Sequence, residues 1–232
     1  MRLDGFIAHA TGASRREAQR YIKEGRIAVG GEVARNSGTN IQDEEVTLDG
    51  LPITLPAPAY VMLHKPAGYL CANTDGQHPT VLDLISEKLH PTEPLQIVGR
   101  LDLDTTGLLL LTTDGAWNHR ITAPNSRCTK VYCAELAESI SAEAIAKLEQ
   151  GVILHSETKP TLPCTVQRMS PYQVKITLQE GRYHQVKRMF AAVGNRVVSL
   201  HREQVGKLIL DPQLQPGEYR HLTSTEVISA CP

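Results

Sequence analysis

The chain has 232 residues, 41% of them hydrophobic, with 24 Lys and Arg against 25 Asp and Glu. That length suits one large domain or a small one joined to a medium one, and the scarcity of Phe and Trp leaves the core to aliphatic residues. No apolar run approaches the roughly 18 residues of a membrane span, and Asp4 and His9 break the first stretch too early for a secretory signal. Cys71, Cys128, Cys133, Cys164 and Cys231 include no CxxC pair. A disulfide framework or zinc knuckle is thereby disfavoured, and free thiols in a reducing cytoplasm are expected. The near-zero net charge leaves nucleic acid open as a partner, because phosphate contacts need cations on one surface and not a basic total.

Residues 1 to about 42 read as a compact helical module. Leu3, Phe6, Ile7 and Ala10 recur at helical spacing, and Gly12 ends the pattern. In the following SRREAQRYIKEG, Ser14 and Glu17 have capping-box spacing. Ala18, Tyr21 and Ile22 form the inward stripe, with Gly25 as the residue past the helix end. RIAVGGEVAR then predicts two short strands around a Gly30-Gly31 turn. Arg15, Arg16, Arg20, Lys23, Arg26 and Arg35 outnumber the nearby acids. A solvated helix face explains such a set blandly; its recurrence where a turn meets a hairpin favours a surface that faces phosphates. One further hairpin fits DEEVTLDGLPI, and the Pro/Ala-rich residues 55–59 read as a linker between residues 1–54 and 60–232.

From Tyr60 onward strands and helices alternate. Strands are expected at YVMLHKP, LQIVG, GLLLLTTDG, KVYCAEL, CTVQRMSPYQVKITLQEG and VVSLHR; helices at TVLDLISEKL (80–89), SAEAIAKLEQG and HQVKRMFAAVG. Strands outnumber helices and several adjoin through short turns. This predicts an α+β fold on a mixed, mostly antiparallel sheet with flanking helices.

GRLDLDTTGLLLLTTDG, residues 99–115, sets Arg100, Asp102 and Asp104 against the start of an apolar strand. The carboxylates either cap a turn or do chemistry. An aspartic protease needs an Asp-Thr/Ser-Gly turn and two facing carboxylates, and DTTG has one Thr too many. Asp102 and Asp104 would lie about 7 Å apart on an extended segment, which fits a glycoside hydrolase, but nothing else suggests an aromatic sugar cleft. His184 and His201 have no carboxylate or Cys partner at ligand spacing, so no metal site is expected.

The segment MRLDGFIAHATGASRREAQRYIKEGRIAVGGEV resembles the S4-like RNA-binding module, with Gly30 where that module usually carries Asn. GRLDLDTTGLLLL resembles the signature of pseudouridine synthases. YVMLHKPAGYLCANTD resembles their lysine-proline-glycine opening, Lys130-Val131-Tyr132 their Lys-x-Tyr element, and QEGRYHQVKRMFAAVGNRVVSLHREQVGKLIL their third motif. The likeness covers nearly the whole chain in order. It is strongest to the bacterial type that carries an S4-like module and acts on small-subunit (16S) ribosomal RNA; a large-subunit (23S) enzyme or a catalytically silent ribosome-assembly factor are the alternatives.

The resemblance implies a cofactor-free isomerase that breaks and rejoins the glycosidic bond of a flipped-out uridine. It places the catalytic carboxylate on Asp102 and leaves Asp104 to the turn. It implies that Tyr132 stacks on the uracil, that Leu200 walls its pocket, and that Arg100 fills the vacated space or grips phosphate. The cation that keeps the carboxylate ionised is implied at Lys187, with Arg188 as the rival. Arg188 is also expected on RNA beside Arg15, Arg16, Arg20 and Lys23. His184 is read as structural or RNA-facing, and Lys65 and Pro66 as shaping a loop beside the site. The expected partner is 16S ribosomal RNA or a small-subunit assembly intermediate, met by a cytoplasmic protein for which nothing demands more than a monomer.

Overall fold

The computed structural model of the chain describes residues 1–85 and 94–231. Met1–Pro58 form one compact unit, and a second is built from Ala59 onward and from Leu95 to the C-terminus.

In the first unit, α1 (Leu3–Thr11) is closed by Gly12 in the left-handed conformation, its N–H returning to the Ala8 carbonyl at 3.0 Å. The capping box opens α2 (Arg15–Lys23): Glu17 N–H donates to Ser14 Oγ at 3.2 Å, and Ser14 N–H to Glu17 Oε2 at 2.8 Å. Strands β1 (Ile27–Val29), β2 (Glu32–Val33), β3 (Val46–Leu48) and β4 (Leu51–Ile53) form an antiparallel sheet in the order β2-β1-β3-β4. Gly30-Gly31 and Asp49-Gly50, all at positive φ, make its two hairpin turns. Leu3, Ile7, Ala18, Ile22, Ile27, Ile41 and Val46 fill the core beneath. Residues 55–58 are exposed and outside any helix or strand.

The second unit carries β5 (Tyr60–Lys65), β6 (Gln96–Val98), β7 (Thr106–Thr112), α3 (Gly115–Thr122), β8 (Lys130–Leu136), α4 (Ala142–Gln150), β9 (Thr165–Ser170), β10 (Gln173–Leu178), α5 (Gln185–Ala192), β11 (Val197–Val205), β12 (Leu208–Ile209), β13 (Tyr219–His221) and α6 (Ser224–Ser229). The sheet runs β13-β5-β7-β11-β8-β10-β9, with β12 on β11 and β6 on β7. Among the described residues every pairing between these strands is antiparallel except β7 with β11. Leu108–Leu111 are fully buried on both faces of β7, which explains a leucine run without alternation. Val186, Met189 and Phe190 of α5 and Leu148 of α4 join one core with Ala134, Val174, Ile176 and Leu200. Trp117 and Ile121 of α3 join another with Met62, Leu108 and Leu110.

One glycine decides where the 99–105 loop ends. Gly107 has φ +107, and a Cβ there would lie 2.3 Å from the Arg202 carbonyl. Only glycine lets β7 start this close to β11.

Two expectations change. The described part of the helix expected over residues 80–89 is a short 3-10 turn, Val81–Leu84, opened by Thr80 and Asp83 in a capping box; the rest of that stretch lies outside the described residues. Helices α3 and α6 and strands β12 and β13 were not expected. They are short, and the residues that anchor them (Trp117 and Ile121 of α3, Leu208 of β12, Val227 of α6) do so by joining the core around Met62, Leu108 and Leu110.

Candidate active site

The RLD segment is the loop from β6 into β7. Its backbone turns where Thr105 N–H donates to the Asp102 carbonyl at 3.1 Å, and Leu101, buried, sets its N–H on Cys71 Sγ at 3.4 Å. Beneath it sits Lys65, the last residue of β5, with no exposed surface at all. Its ammonium lies 3.1 Å from the Asp102 carbonyl, 3.3 Å from Leu103, 2.8 Å from Thr105 and 3.1 Å from Pro66. A buried cation is tolerable there because carbonyl dipoles replace its water. Burial pulls its pKa below the ordinary lysine value, and Cys71, Asp104 and Asp102 partly oppose that pull. Arg202, almost fully buried on β11, adds a bond from Nε to the Leu108 carbonyl at 2.8 Å. Lys65 thus holds the loop in shape from below, with the Pro66 carbonyl taking a further bond from its ammonium.

The side chains that meet this loop come from the start of α5. Its approach is fixed by Arg182, which bonds Glu180 at 3.1 Å, Glu157 at 2.6 Å and the Pro160 carbonyl at 2.7 Å. Gln185 accepts from Arg182 N–H and donates to Glu180, both at 2.8 Å. His184 at the helix start is left-handed, φ +47. From this start, Lys187 reaches the loop: its Nζ is 3.3 Å from Asp102 Oδ2 and 2.6 Å from Asp104 Oδ1. His184 Nε2 lies 3.3 Å from Asp102 Oδ1. Burial pulls the Lys187 ammonium down, but the bond to Asp104 and the charge of Asp102 outweigh it and hold its pKa above the ordinary value. The same bond to Lys187 holds the Asp104 carboxyl below its ordinary range.

The next helical residue points elsewhere, as a turn of about 100° per residue requires. Arg188 bonds Glu157 at 2.7 Å and the carbonyls of His155 and Tyr183 at 2.6 and 3.1 Å. The choice between Lys187 and Arg188 as the cation on Asp102 therefore falls to Lys187. Asp104 departs from its expected place: its carboxylate takes Lys187 instead of capping the Thr-Thr-Gly turn, which closes through the Asp102 carbonyl. His184, expected to be structural or RNA-facing, meets the carboxylate of Asp102.

Asp102 keeps about a quarter of its side-chain surface open, enough for a reacting group to reach it. Tyr132 on β8, half-buried, and Leu200 on β11 border the core on which α5 packs. The Tyr132 hydroxyl makes no hydrogen bond among the described residues. Arg100 is exposed, and its guanidinium has no partner among the described residues. In the first unit Arg15, Arg16, Arg20 and Lys23 are exposed; Arg20 approaches Glu24 at 3.7 Å, and the other three make no ion pair among the described residues. His201 meets Thr106 Oγ1 at 2.8 Å, its ring edge-on to His64. Sequence reasoning missed the shared Lys187 and the His184 contact. The signal available was two carboxylates two residues apart facing one helix of cations.

A carboxylate on a loop braced from below and flanked by a lysine and an imidazole is a constellation for nucleophilic or proton-transfer chemistry. The S4 domain family matches residues 1–54 and the RNA pseudouridylate synthase family residues 59–192. The chain is 48% identical to the ribosomal small subunit pseudouridine synthase A of Salmonella typhimurium and to that of Escherichia coli strain K12, over 99% of each chain. It is 44% identical to the protein of that name from Vibrio cholerae, again over 99% of both. A crystal structure of a pseudouridylate synthase superposes with a TM-score of 0.72 at 40% identity, covering 99% of both chains. The chain therefore belongs to the RNA pseudouridylate synthase family and carries an S4 domain ahead of the synthase domain.

Proposed function

We propose that the protein converts one uridine of 16S ribosomal RNA to pseudouridine, acting on the small subunit or an intermediate of its assembly in the cytoplasm. The observation that carries this reading is the Asp102 carboxylate, part open and held between Lys187 and His184 on a loop braced by Lys65. The 48% identity over 99% of the chain to small-subunit synthases supports the choice of RNA.

The reaction breaks N1–C1′, leaving the bonding pair on the uracil. The ring turns, C5 bonds to C1′, the C5 proton leaves and N1 takes one up. Atoms and electrons balance without a redox partner. Asp102 attacks C1′ or C6, or stabilises the cationic sugar. Lys187, its ammonium 3.3 Å from Oδ2, pairs with the carboxylate's charge and holds it in place. Tyr132 stacks on the extruded uracil against Leu200, and Arg100 takes the vacated place in the RNA. Arg15, Arg16, Arg20 and Lys23 meet phosphates, so affinity should fall steeply with added salt. Residues 1–54 are the RNA-binding domain, 55–59 a linker and 60–232 the catalytic domain.

The test is incubation with a partly assembled small-subunit particle, reading pseudouridine by carbodiimide-blocked primer extension. Wild type should produce one new stop, and Asp102→Asn none. Full activity in Asp102→Asn would remove the carboxylate from the chemistry; stops only on large-subunit RNA would reassign the substrate.

A further inference from the structure

Beside the carboxylate stands an aromatic pair of which the reading above uses only the imidazole edge of His184. Tyr183 leaves 73% of its surface in solvent, unusual for a ring of this size in a well-anchored segment. One of its faces lies against the His184 imidazole, ring centroids 3.8 Å apart and planes within 20°. His184 is itself placed at a cost. It is a non-glycine residue at φ +47, at a helix start where its side chain caps nothing. What the strain achieves is visible: the imidazole meets Asp102 with Nε2 while its face carries Tyr183. The Tyr183 carbonyl is pinned by Arg188, so the pair does not depend on the exposed ring to hold its position.

The structure assigns Tyr183, stacked on His184, as a platform for the base of a nucleotide next to the target uridine. This assignment rests on the reading of Asp102 given above. When a uridine leaves the stack to reach Asp102, the base beside it loses a stacking partner. A flat π-face open to solvent, one imidazole away from that carboxylate, is where this base can regain one. Stacking accepts any base, so the platform contributes grip and placement along the strand more than sequence readout. The surroundings suit a polyanion, with the exposed Arg100 on the loop that carries Asp102.

Tyr183→Ala and Tyr183→Phe separate this role from a structural one, using the full-length protein on the partly assembled small-subunit particle. Loss of one base–aromatic stack is expected to raise KM and Kd about five- to a hundredfold, leaving kcat within twofold, while Phe retains the ring and the wild-type KM. A particle rebuilt with 5-iodouridine-substituted 16S RNA should crosslink to the Tyr183 peptide on irradiation. The assignment is overturned if Tyr183→Ala keeps its KM and Kd, or if kcat falls at unchanged Kd, which would make Tyr183 a support for His184 and Asp102. A wild-type enzyme silent on the particle would instead defeat the functional reading, and this assignment with it.

Discussion

Lys65 offers the sharpest test of how the loop that carries Asp102 is held. Replacing it with Met keeps the aliphatic stem and removes every donor. The ammonium lies between 2.8 and 3.3 Å from four carbonyls, three of them within residues 102–105, and can serve three at once. Bonds from a charged donor contribute roughly 1.5–3 kcal/mol each, and a buried carbonyl left without a donor costs about 1–3 kcal/mol. Against this, the variant no longer buries a charge, a relief of several kcal/mol. The remainder is a destabilisation of about 2–3 kcal/mol, which in a domain of this size lowers Tm by roughly 5–10 °C. Because the lost bonds converge on the residues around Asp102, turnover should fall further than stability explains, by about a hundredfold for a misplacement near 1 Å. Calorimetry or urea unfolding gives the first quantity. Pseudouridine formation, measured well below the variant's Tm, gives the second. A variant with wild-type Tm and wild-type turnover would show that the carbonyls hold their places without the cation, and the bracing argument would fail.

Two further outcomes follow from neighbouring contacts. Lys187→Ala should lower kcat about ten- to a hundredfold, since it removes the cation 3.3 Å from Asp102, whereas Arg188→Ala should act mainly on Tm through the lost Glu157 and His155 contacts; equal losses of kcat would contradict the division of labour between the two. In the S4 domain, the bond from Arg2, then that from Gln19, hold the buried Asp4 carboxyl down at about 2 against an ordinary 3.8. A folded pKa below the unfolded one adds stability that is complete above about pH 4 and lost as pH falls towards 2. Asp4→Asn should therefore cost roughly 2 kcal/mol at neutral pH and flatten the acid limb of a urea-unfolding series between pH 4 and 2; an unchanged acid limb would rule out this linkage.

Much of the molecule could be read locally. The capping box at Ser14, the paired-glycine hairpin at residues 30–31 and the helix over residues 142–150 depend on groups a few residues apart, whose spacing alone fixes the geometry. The chemistry-bearing motifs were legible for a related reason: each is a contiguous string. The meeting of those strings was not. Lys187 and Asp104 are 83 residues apart, and Lys65 and Thr105 are 40 apart. Asp104 reads locally as a turn cap because Asp before Thr-Thr-Gly satisfies that pattern. It serves Lys187 because the parallel join of β7 to β11, open only to a glycine at position 107, sets the loop against the first turn of α5.

Sequence by itself determined the helices and hairpins that cap themselves, the buried leucine strand, and the family to which Asp102, Tyr132 and Lys187 point. Tertiary structure alone decided that Lys187 and not Arg188 faces the carboxylate, that His184 completes its surroundings, and that a fully buried lysine props the loop from beneath. The physical reason is one of range. Backbone propensity and capping act over a few residues, whereas the direction of a charged side chain is settled by whichever carboxylates and carbonyls the packed core brings within about 3 Å.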